Sequence, residues 1–225
     1  MKNSLIRANC LAVLMAASSL VGVKAAQVLQ SAGPLAFAPG GVLIAADPKA
    51  AALVSVKTGD ASGSGGAKVS IDGVNSKIAA LLGTSADAVR IIDLAVNPES
   101  QHAYLSVARG RGADAAAVIV KVDGEGDLSV VKLDESKINR VTLPNAPADA
   151  IRGEGRRARN QRLESITDIA YVDGNVIVAG LSNEEFASSL RSVPFPFRGV
   201  EKGASVEIYH GAHGQFESRS PVRTF

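Results

Sequence analysis

The sequence is poor in cysteine and in large aromatic side chains. Its 225 residues include one cysteine, no tryptophan, three tyrosines and six phenylalanines. The single cysteine, Cys10, lies within the first 25 residues, so the remainder of the chain has no thiol and no disulfide. Cysteine nucleophiles and cysteine-ligated zinc are thereby excluded from the rest of the chain, and its core must be built from small and β-branched side chains.

The first 25 residues have the pattern of a secretory signal peptide. Lys2 and Arg7 give a positive start, an apolar run follows, and Val23 and Ala25 occupy the −3 and −1 positions of a small-residue cleavage site. The run contains two serines and is shorter than the roughly 20 strongly apolar residues of a bilayer span. We therefore expect cleavage, export to the periplasm or the extracellular space, no membrane span in the mature protein, and one domain over residues 26–225.

The mature chain has almost no net charge. The precursor carries 24 basic and 22 acidic residues, and three of the basic ones (Lys2, Arg7 and Lys24) fall in the leader, which leaves 21 against 22. A nucleic-acid partner is not expected, because such proteins carry a clustered basic surface. The arginine-rich segment 144–162 has no interleaved aromatic residue for base stacking. It predicts a solvated loop, with a phosphate-binding or acidic-polymer site as the alternative for Arg152, Arg156, Arg157, Arg159 and Arg162.

Three stretches of the chain are alike: residues 35–60, 93–133 and 168–183. Each begins with a short apolar strand (LAFA, LAV or IAYV), continues through a turn of Gly, Pro, Asp or Asn, and enters a second strand (VLIAA, AYLSV or VIVAG). The first two add a third strand, and LSVVKL adds a fourth to the second stretch. Short β-branched runs between turn residues are typical of antiparallel hairpins. The sequence therefore predicts a mainly β fold of four-stranded antiparallel units.

Two segments between these strands have helical patterns. In residues 74–92, apolar side chains recur at helical spacing before Gly83, which is a stop signal. In residues 183–199, an asparagine cap and acidic residues precede Phe186 and Leu190, which would share one helical face before two prolines. We therefore expect a short helix in each segment.

The strand and turn sequences LAFAPGGVLIAADPKAAALVSV and LAVNPESQHAYLSVARG resemble secreted β-propeller repeats of the YVTN, NHL and gluconolactonase-like kind. The resemblance implies four-stranded blades around a central channel lined by the first strand of each blade. Because a propeller closes with typically four to eight blades, we expect a partial propeller that is incomplete at its C-terminal side. A small open β domain is the alternative.

The segment EIYHGAHGQFES, residues 207–218, holds two of the three histidines. A hairpin there would place His210 on a strand, His213 at the tip and Glu217 on the return strand. Two histidines beside glycines are first interpreted as part of a glycine-rich turn. The alternative is a metal or acid–base site, because imidazole and carboxylate groups are ligands for zinc and similar ions. The third histidine, His102, stands at a turn-to-strand junction and is given no role in a site.

Asp93 and Asp168 each stand before the first strand of a repeat, where the first repeat has Pro34. In a propeller, both carboxylates would point into the channel and hold a cation such as Ca²⁺, which prefers oxygen ligands. This cation site is the second interpretation; the first is that each aspartate caps a turn before its strand, as we also expect for Asp47.

Two functions remain open. The first is an exported, non-catalytic binding or scaffold protein with an unidentified ligand or protein partner and no required cofactor. The second is a metal-dependent, lactonase-like hydrolase with Ca²⁺ or Zn²⁺ held by Asp93, Asp168, His210, His213 and Glu217. The propeller resemblance does not decide between them, since the same fold carries both enzymes and binding modules.

Overall fold

A computed structural model describes residues 28–61, 63, 68–112, 115–183, 187–200, 203–205, 209–210, 215–216 and 221–224. The expected signal peptide lies outside the described residues. Within the described part of the chain, no helix has the length and apolar character that a bilayer span requires.

The described residues confirm the mainly β prediction, because their strands form antiparallel sheets of two to four strands. The strands are β1 Leu35–Ala38, β2 Val42–Asp47, β3 Ala52–Lys57, β4 Val89–Val96, β5 Ala103–Arg109, β6 Ala116–Val122, β7 Leu128–Val130, β8 Ile138–Thr142, β9 Ile151–Arg152, β10 Arg159–Asn160, β11 Asp168–Val172, β12 Asn175–Leu181, β13 Ser188–Pro194, β14 Ala204–Ser205, β15 Tyr209–His210 and β16 Gln215–Phe216. Sheet I has the order β1-β2-β3-β8, sheet II the order β4-β5-β6-β7, and sheet III the order β11-β12-β13-β14.

Sheet II is a meander of four strands that follow one another along the chain, as the sequence predicts. Its central strands β5 and β6 pair over their full length, from Ala103↔Val122 to Arg109↔Ala116. The fourth strand, β7, covers only the first half of the LSVVKL run. The first strand, β4, changes register between Ile91 and Asp93, which marks a bulge.

Sheet I obtains its fourth strand from a distant part of the chain. Strand β8 pairs with β3 from Ala52↔Thr142 to Val56↔Ile138. All of sheet II therefore lies between β3 and β8 in sequence. The sequence analysis found three strands in this repeat and missed the fourth, because INRVT carries no turn signal that links it to β3.

Sheet III corrects the expected helix in residues 183–199. Residues Ser188–Pro194 are strand β13, which pairs with β12 from Leu181↔Ser188 to Asn175↔Pro194. Burial along β13 alternates, with Arg191 and Val193 buried and Leu190 exposed. A period of two and a full partner strand therefore outweigh the local helical spacing of Phe186 and Leu190.

The helix predicted in residues 74–92 is confirmed as α1, Val74–Leu82. Gly83 ends it in the left-handed conformation, with φ 61°, and its N–H bonds back to the carbonyls of Ala79 and Ala80. A glycine accepts this conformation without the penalty that a Cβ brings. The helix buries Ile78 and Ala79 against the outer face of sheet II.

The expected loop at residues 144–162 has some regular structure. Strands β9 and β10 pair as Arg159↔Arg152 and Asn160↔Ile151, and two short 3-10 turns follow β9 and β10 in the chain. The side chains of Arg152, Arg156 and Arg159 are exposed. These three arginines are solvated, as expected, whereas Arg162 is half-buried and its Nε atom is buried, and the segment is not irregular throughout.

The sheets pack face to face with sheet I in the middle. One core joins sheet I to sheet III through buried residues such as Ile44, Leu53, Val176 and Val178. A second core joins the other face of sheet I to sheet II through Leu43, Val54, Tyr104 and Ile119. Alanine, valine and isoleucine supply most of these side chains, as the composition predicts, together with several leucines and Tyr104. Strand β1 contacts both β4 and β11, so the first strands of the three sheets lie together.

Candidate functional site

A cleft of about 750 Å³ lies beside the first strands of the three sheets. Pro34, Asp93 and Asp168 all contribute to its walls. These are the three positions that the sequence analysis placed before the first strand of each repeat. The structure therefore brings the two predicted carboxylates to one cleft.

Asp93 does not have the position that the sequence predicted. It lies inside β4 at the bulge, rather than before the strand. Its Oδ2 atom accepts a hydrogen bond of 2.7 Å from the backbone N–H of Leu35. Asp93 therefore ties the start of β1 to β4 and does not cap a turn, which corrects the turn-cap interpretation of this residue.

Asp168 is the first residue of β11, close to its predicted position. Its Oδ1 atom accepts a 2.9 Å hydrogen bond from the N–H of Ile169, and the residue is half-buried. The carboxylate thus stands at the beginning of a first strand and on the wall of the cleft.

The cleft has charged walls of both signs. Arg223 Nη2 lies 2.9 Å from Glu164 Oε1, while Glu164 Oε2 is buried and receives no hydrogen bond from the described residues. Asn160 Nδ2 donates to Asp149 Oδ1 at 2.6 Å. The ionisable residues of the walls are Lys49, Arg90, Asp93, Asp149, Glu164, Asp168 and Arg223. Such a surface offers both hydrogen-bond donors and acceptors to a polar molecule.

The expected hairpin of the histidine segment is present in the backbone. Strands β15 and β16 pair as Tyr209↔Phe216 and His210↔Gln215. The side chain of His210, together with His213 and Glu217, lies outside the described residues. Among the residues whose side chains are described, no group of three His, Cys, Asp or Glu side chains is arranged to hold a metal ion. The five-residue metal site therefore stays a prediction.

A second polar cluster, centred on Asp60, was missed by the sequence analysis. The Asp60 carboxylate accepts hydrogen bonds from Ser100 Oγ at 2.9 Å and from Tyr104 Oη at 2.8 Å. His102 Nδ1 lies 2.9 Å from both of its oxygens, and Lys121 Nζ lies 3.9 Å from Oδ1. The cluster joins the end of β3 to the start of β5.

The cluster alters the proton affinity of two of its members. Burial of Asp60 favours its neutral form, but the hydrogen bonds from His102, Tyr104 and Ser100 outweigh burial and hold the pKa of this carboxyl below its ordinary value. Burial, reinforced by the bond to Asp60, raises the pKa of the Tyr104 hydroxyl. Asp60 is therefore an ionised acceptor at neutral pH, and Tyr104 is a neutral donor.

No short-range signal could have found this cluster. Asp60 and His102 are 42 residues apart, and each is an ordinary turn residue within its own segment. The informative signal is the repeat itself, because Asp60 ends the first stretch where it packs against the second. Sequence reasoning also left out Arg90, Glu164 and Arg223, which line the cleft.

Comparisons with known proteins give little that bears on identity. No protein-family model matches the chain, and no curated protein matches it. Among solved structures, it has a weak likeness to the PQQ-bound form of an aldose sugar dehydrogenase from Streptomyces coelicolor, with 14% identity, 85% of each chain covered and a TM-score of 0.22. A likeness at this level carries no argument about fold or activity.

Proposed function

We propose that this chain is an exported binding module of the β-propeller type, and that its ligand is a small polar molecule held in the 750 Å³ cleft. One observation carries the proposal: Pro34, Asp93 and Asp168, which the sequence aligns as equivalent, line the same cleft. In a propeller, equivalent positions of successive first strands meet at the central channel, where ligands bind.

The packing of the sheets supports the architectural part of the proposal. Sheets I, II and III each have four antiparallel strands, and sheet I packs one face on each of the other two. Strand β1, the first strand of sheet I, contacts β4 and β11, the first strands of sheets II and III. Blades of a propeller are related in this way, with their first strands innermost.

The chemistry of the walls supports binding over catalysis. Both Asp93 and Asp168 accept backbone hydrogen bonds, so each is held in a structural role at one oxygen. Glu164 is likewise engaged, because its Oε1 atom lies 2.9 Å from Arg223 Nη2. The exposed guanidinium of Arg90 is a matching donor for a ligand oxygen.

The test uses the mature chain and a panel of monosaccharides, amino acids and hydroxy acids. Binding is detected as thermal stabilisation and quantified by calorimetry. We expect Arg90→Gln and Asp93→Asn to weaken the strongest hit, while Lys77→Gln, on α1 and outside the cleft, leaves it unchanged. An affinity that neither cleft variant alters would place the ligand elsewhere and refute the proposal.

The alternative, a metal-dependent lactonase-like hydrolase, has one observation in its favour: Asp93 and Asp168 line the same cleft. Its test is calorimetric titration of the mature chain with Ca²⁺ and with Zn²⁺. The alternative requires binding that is lost in Asp93→Asn and Asp168→Asn and in the single replacements of His210, His213 and Glu217 by Ala. Metal binding that survives the aspartate replacements would exclude it.

A further inference from the structure

A second, smaller pocket lies between sheets I and II, away from the cleft. It has a volume of about 290 Å³ and is lined by residues 56–60 at the end of β3, by Tyr104 and Lys121, and by residues 129–132 around β7. None of its lining residues contributes to the 750 Å³ cleft. The proposed function does not use it.

Positive charge dominates this pocket. Three lysines, Lys57, Lys121 and Lys132, line it together with a single carboxylate, Asp60. Among the described residues, Lys57 and Lys132 have no carboxylate within ion-pair distance, and Lys121 lies 3.9 Å from Asp60. Like charges gathered around one concave site repel one another, and an anion that binds there relieves the repulsion.

The single carboxylate cannot neutralise these lysines. Asp60 already accepts hydrogen bonds from Ser100, His102 and Tyr104, and only a tenth of its side chain is exposed. Among the lining residues, three ammonium groups against one carboxylate leave two positive charges in excess; Asp123, which does not line the pocket, also interacts with Lys121. This excess matches the charge of about −2 that hydrogen phosphate or a phosphate monoester carries after losing its second proton.

The floor of the pocket is fixed. Tyr104 is buried and packs edge-to-face on Phe37, with ring centroids 5.0 Å apart, while its hydroxyl is bound to Asp60. The Lys121 side chain extends from the central strand β6 and is mostly buried. One cation is therefore held in place before a ligand arrives, and the hydroxyl of Ser129 adds a donor beside it.

From this geometry we propose that the pocket between sheets I and II binds a phosphate group. Lysine binds phosphate as a point charge with three donors, so a ring of lysines suits an oxyanion presented in varied orientations. The group is either inorganic phosphate or the phosphoryl end of an organic ester. The two sources share the same recognition chemistry.

The test is titration of the mature chain with inorganic phosphate at constant ionic strength, followed by calorimetry and by backbone amide shifts. We expect one site, with shifts at Thr58, Tyr104 and Val130. In the double variant Lys57→Gln and Lys132→Gln, affinity should fall about tenfold or more, because two of three charge-assisted contacts are lost. Both replaced side chains are exposed, so the fold should be retained, as a circular dichroism spectrum would verify.

A second double variant, at two lysines outside the pocket, supplies the control. Lys77→Gln with Lys137→Gln removes the same net charge at exposed lysines that do not line the pocket, and phosphate affinity should be unchanged. No binding up to about 10 mM phosphate, or an equal loss in both double variants, would overturn the proposal. A second titration with phenyl phosphate separates the sources: tighter binding than phosphate identifies an ester, and weaker binding identifies the free ion.

Discussion

The imidazole Nδ1 of His102 lies 2.9 Å from each carboxylate oxygen of Asp60, which links the segment after β3 to the start of β5. The link crosses from sheet I to sheet II at the edge of their shared core. Tyr104, which belongs to that core, donates to the same carboxylate. Polar and apolar contacts therefore hold the same two sheets together.

Replacement of Asp60 should lower the folding stability of the protein, and the loss should depend on pH. Because the folded-state pKa of Asp60 lies below the ordinary value of an aspartate carboxyl, its contribution to stability is present above that ordinary value and is lost as the pH falls through the folded-state pKa. Asp60→Asn should lower the free energy of unfolding by about 2 kcal/mol at pH 7, the value of charge-assisted hydrogen bonds, and by less at pH 3. Urea unfolding at both pH values measures this. Asp72→Asn, at an exposed position, is the control, and an equal cost at both pH values would contradict the prediction.

The hydroxyl and the ring of Tyr104 should make separable contributions. Tyr104→Phe keeps the edge-to-face contact with Phe37 and loses one hydrogen bond, so we expect a loss of about 1–1.5 kcal/mol in unfolding free energy. Tyr104→Ala also leaves a cavity and should cost about 3–5 kcal/mol. Chemical denaturation gives both values. If the two variants lost equal stability, the ring would have no part in joining the sheets.

Asp47 should be among the least replaceable polar residues of sheet I. It is fully buried and accepts hydrogen bonds from the N–H groups of Gln30 at 2.7 Å, Ser31 at 3.0 Å and Ala50 at 3.2 Å. The last of these bonds confirms its predicted role in a turn. Asp47→Ala leaves these N–H donors without an acceptor and should lower the free energy of unfolding by about 3 kcal/mol. Ser31→Ala, which removes one hydroxyl that donates to the same carboxylate, should cost about 1 kcal/mol, and similar losses in both variants would contradict this account.

Gly180 should not tolerate a methyl group. A Cβ built on it would lie 2.0 Å from the carbonyl oxygen of Ser165, which is backbone and cannot rotate away. Gly180→Ala should therefore destabilise by about 2 kcal/mol or more through overpacking. Gly40 has φ +79° but open space around it, so Gly40→Ala should cost only about 1 kcal/mol of backbone strain. Thermal unfolding of the two variants should rank them in this order.

Elements defined by local signals could be predicted from the sequence. Helix α1 has apolar spacing and a glycine stop within ten residues, and the hairpins of sheet II are adjacent in the chain. The segment Ser188–Pro194 shows the limit, because its helical spacing is real but its conformation is decided by pairing with β12. Pairing partners that lie outside a local window cannot be read from that window.

The polar residues of the two candidate sites also differ in whether the sequence carries a signal for them. The strand repeats predicted that Asp93 and Asp168 would lie together, and both line the cleft, although Asp93 lies within β4 at its bulge. The Asp60 cluster and the lysines beside it were not found. Their members come from four strand regions, at β3, β5, β6 and β7, and the packing of sheet I on sheet II makes them neighbours.

The separation of β3 and β8 in sequence has a consequence for how the chain acquires its structure. Sheet II is built from contiguous residues, so it can assemble as soon as residue 130 has been made, whereas the outer edge of β3 stays unpaired until Ile138–Thr142 arrives. Open strand edges invite pairing with other chains. During synthesis, the apolar strand β3 therefore has an unpaired edge until β8 is made, and the polar strand β8 then replaces it as the edge of sheet I.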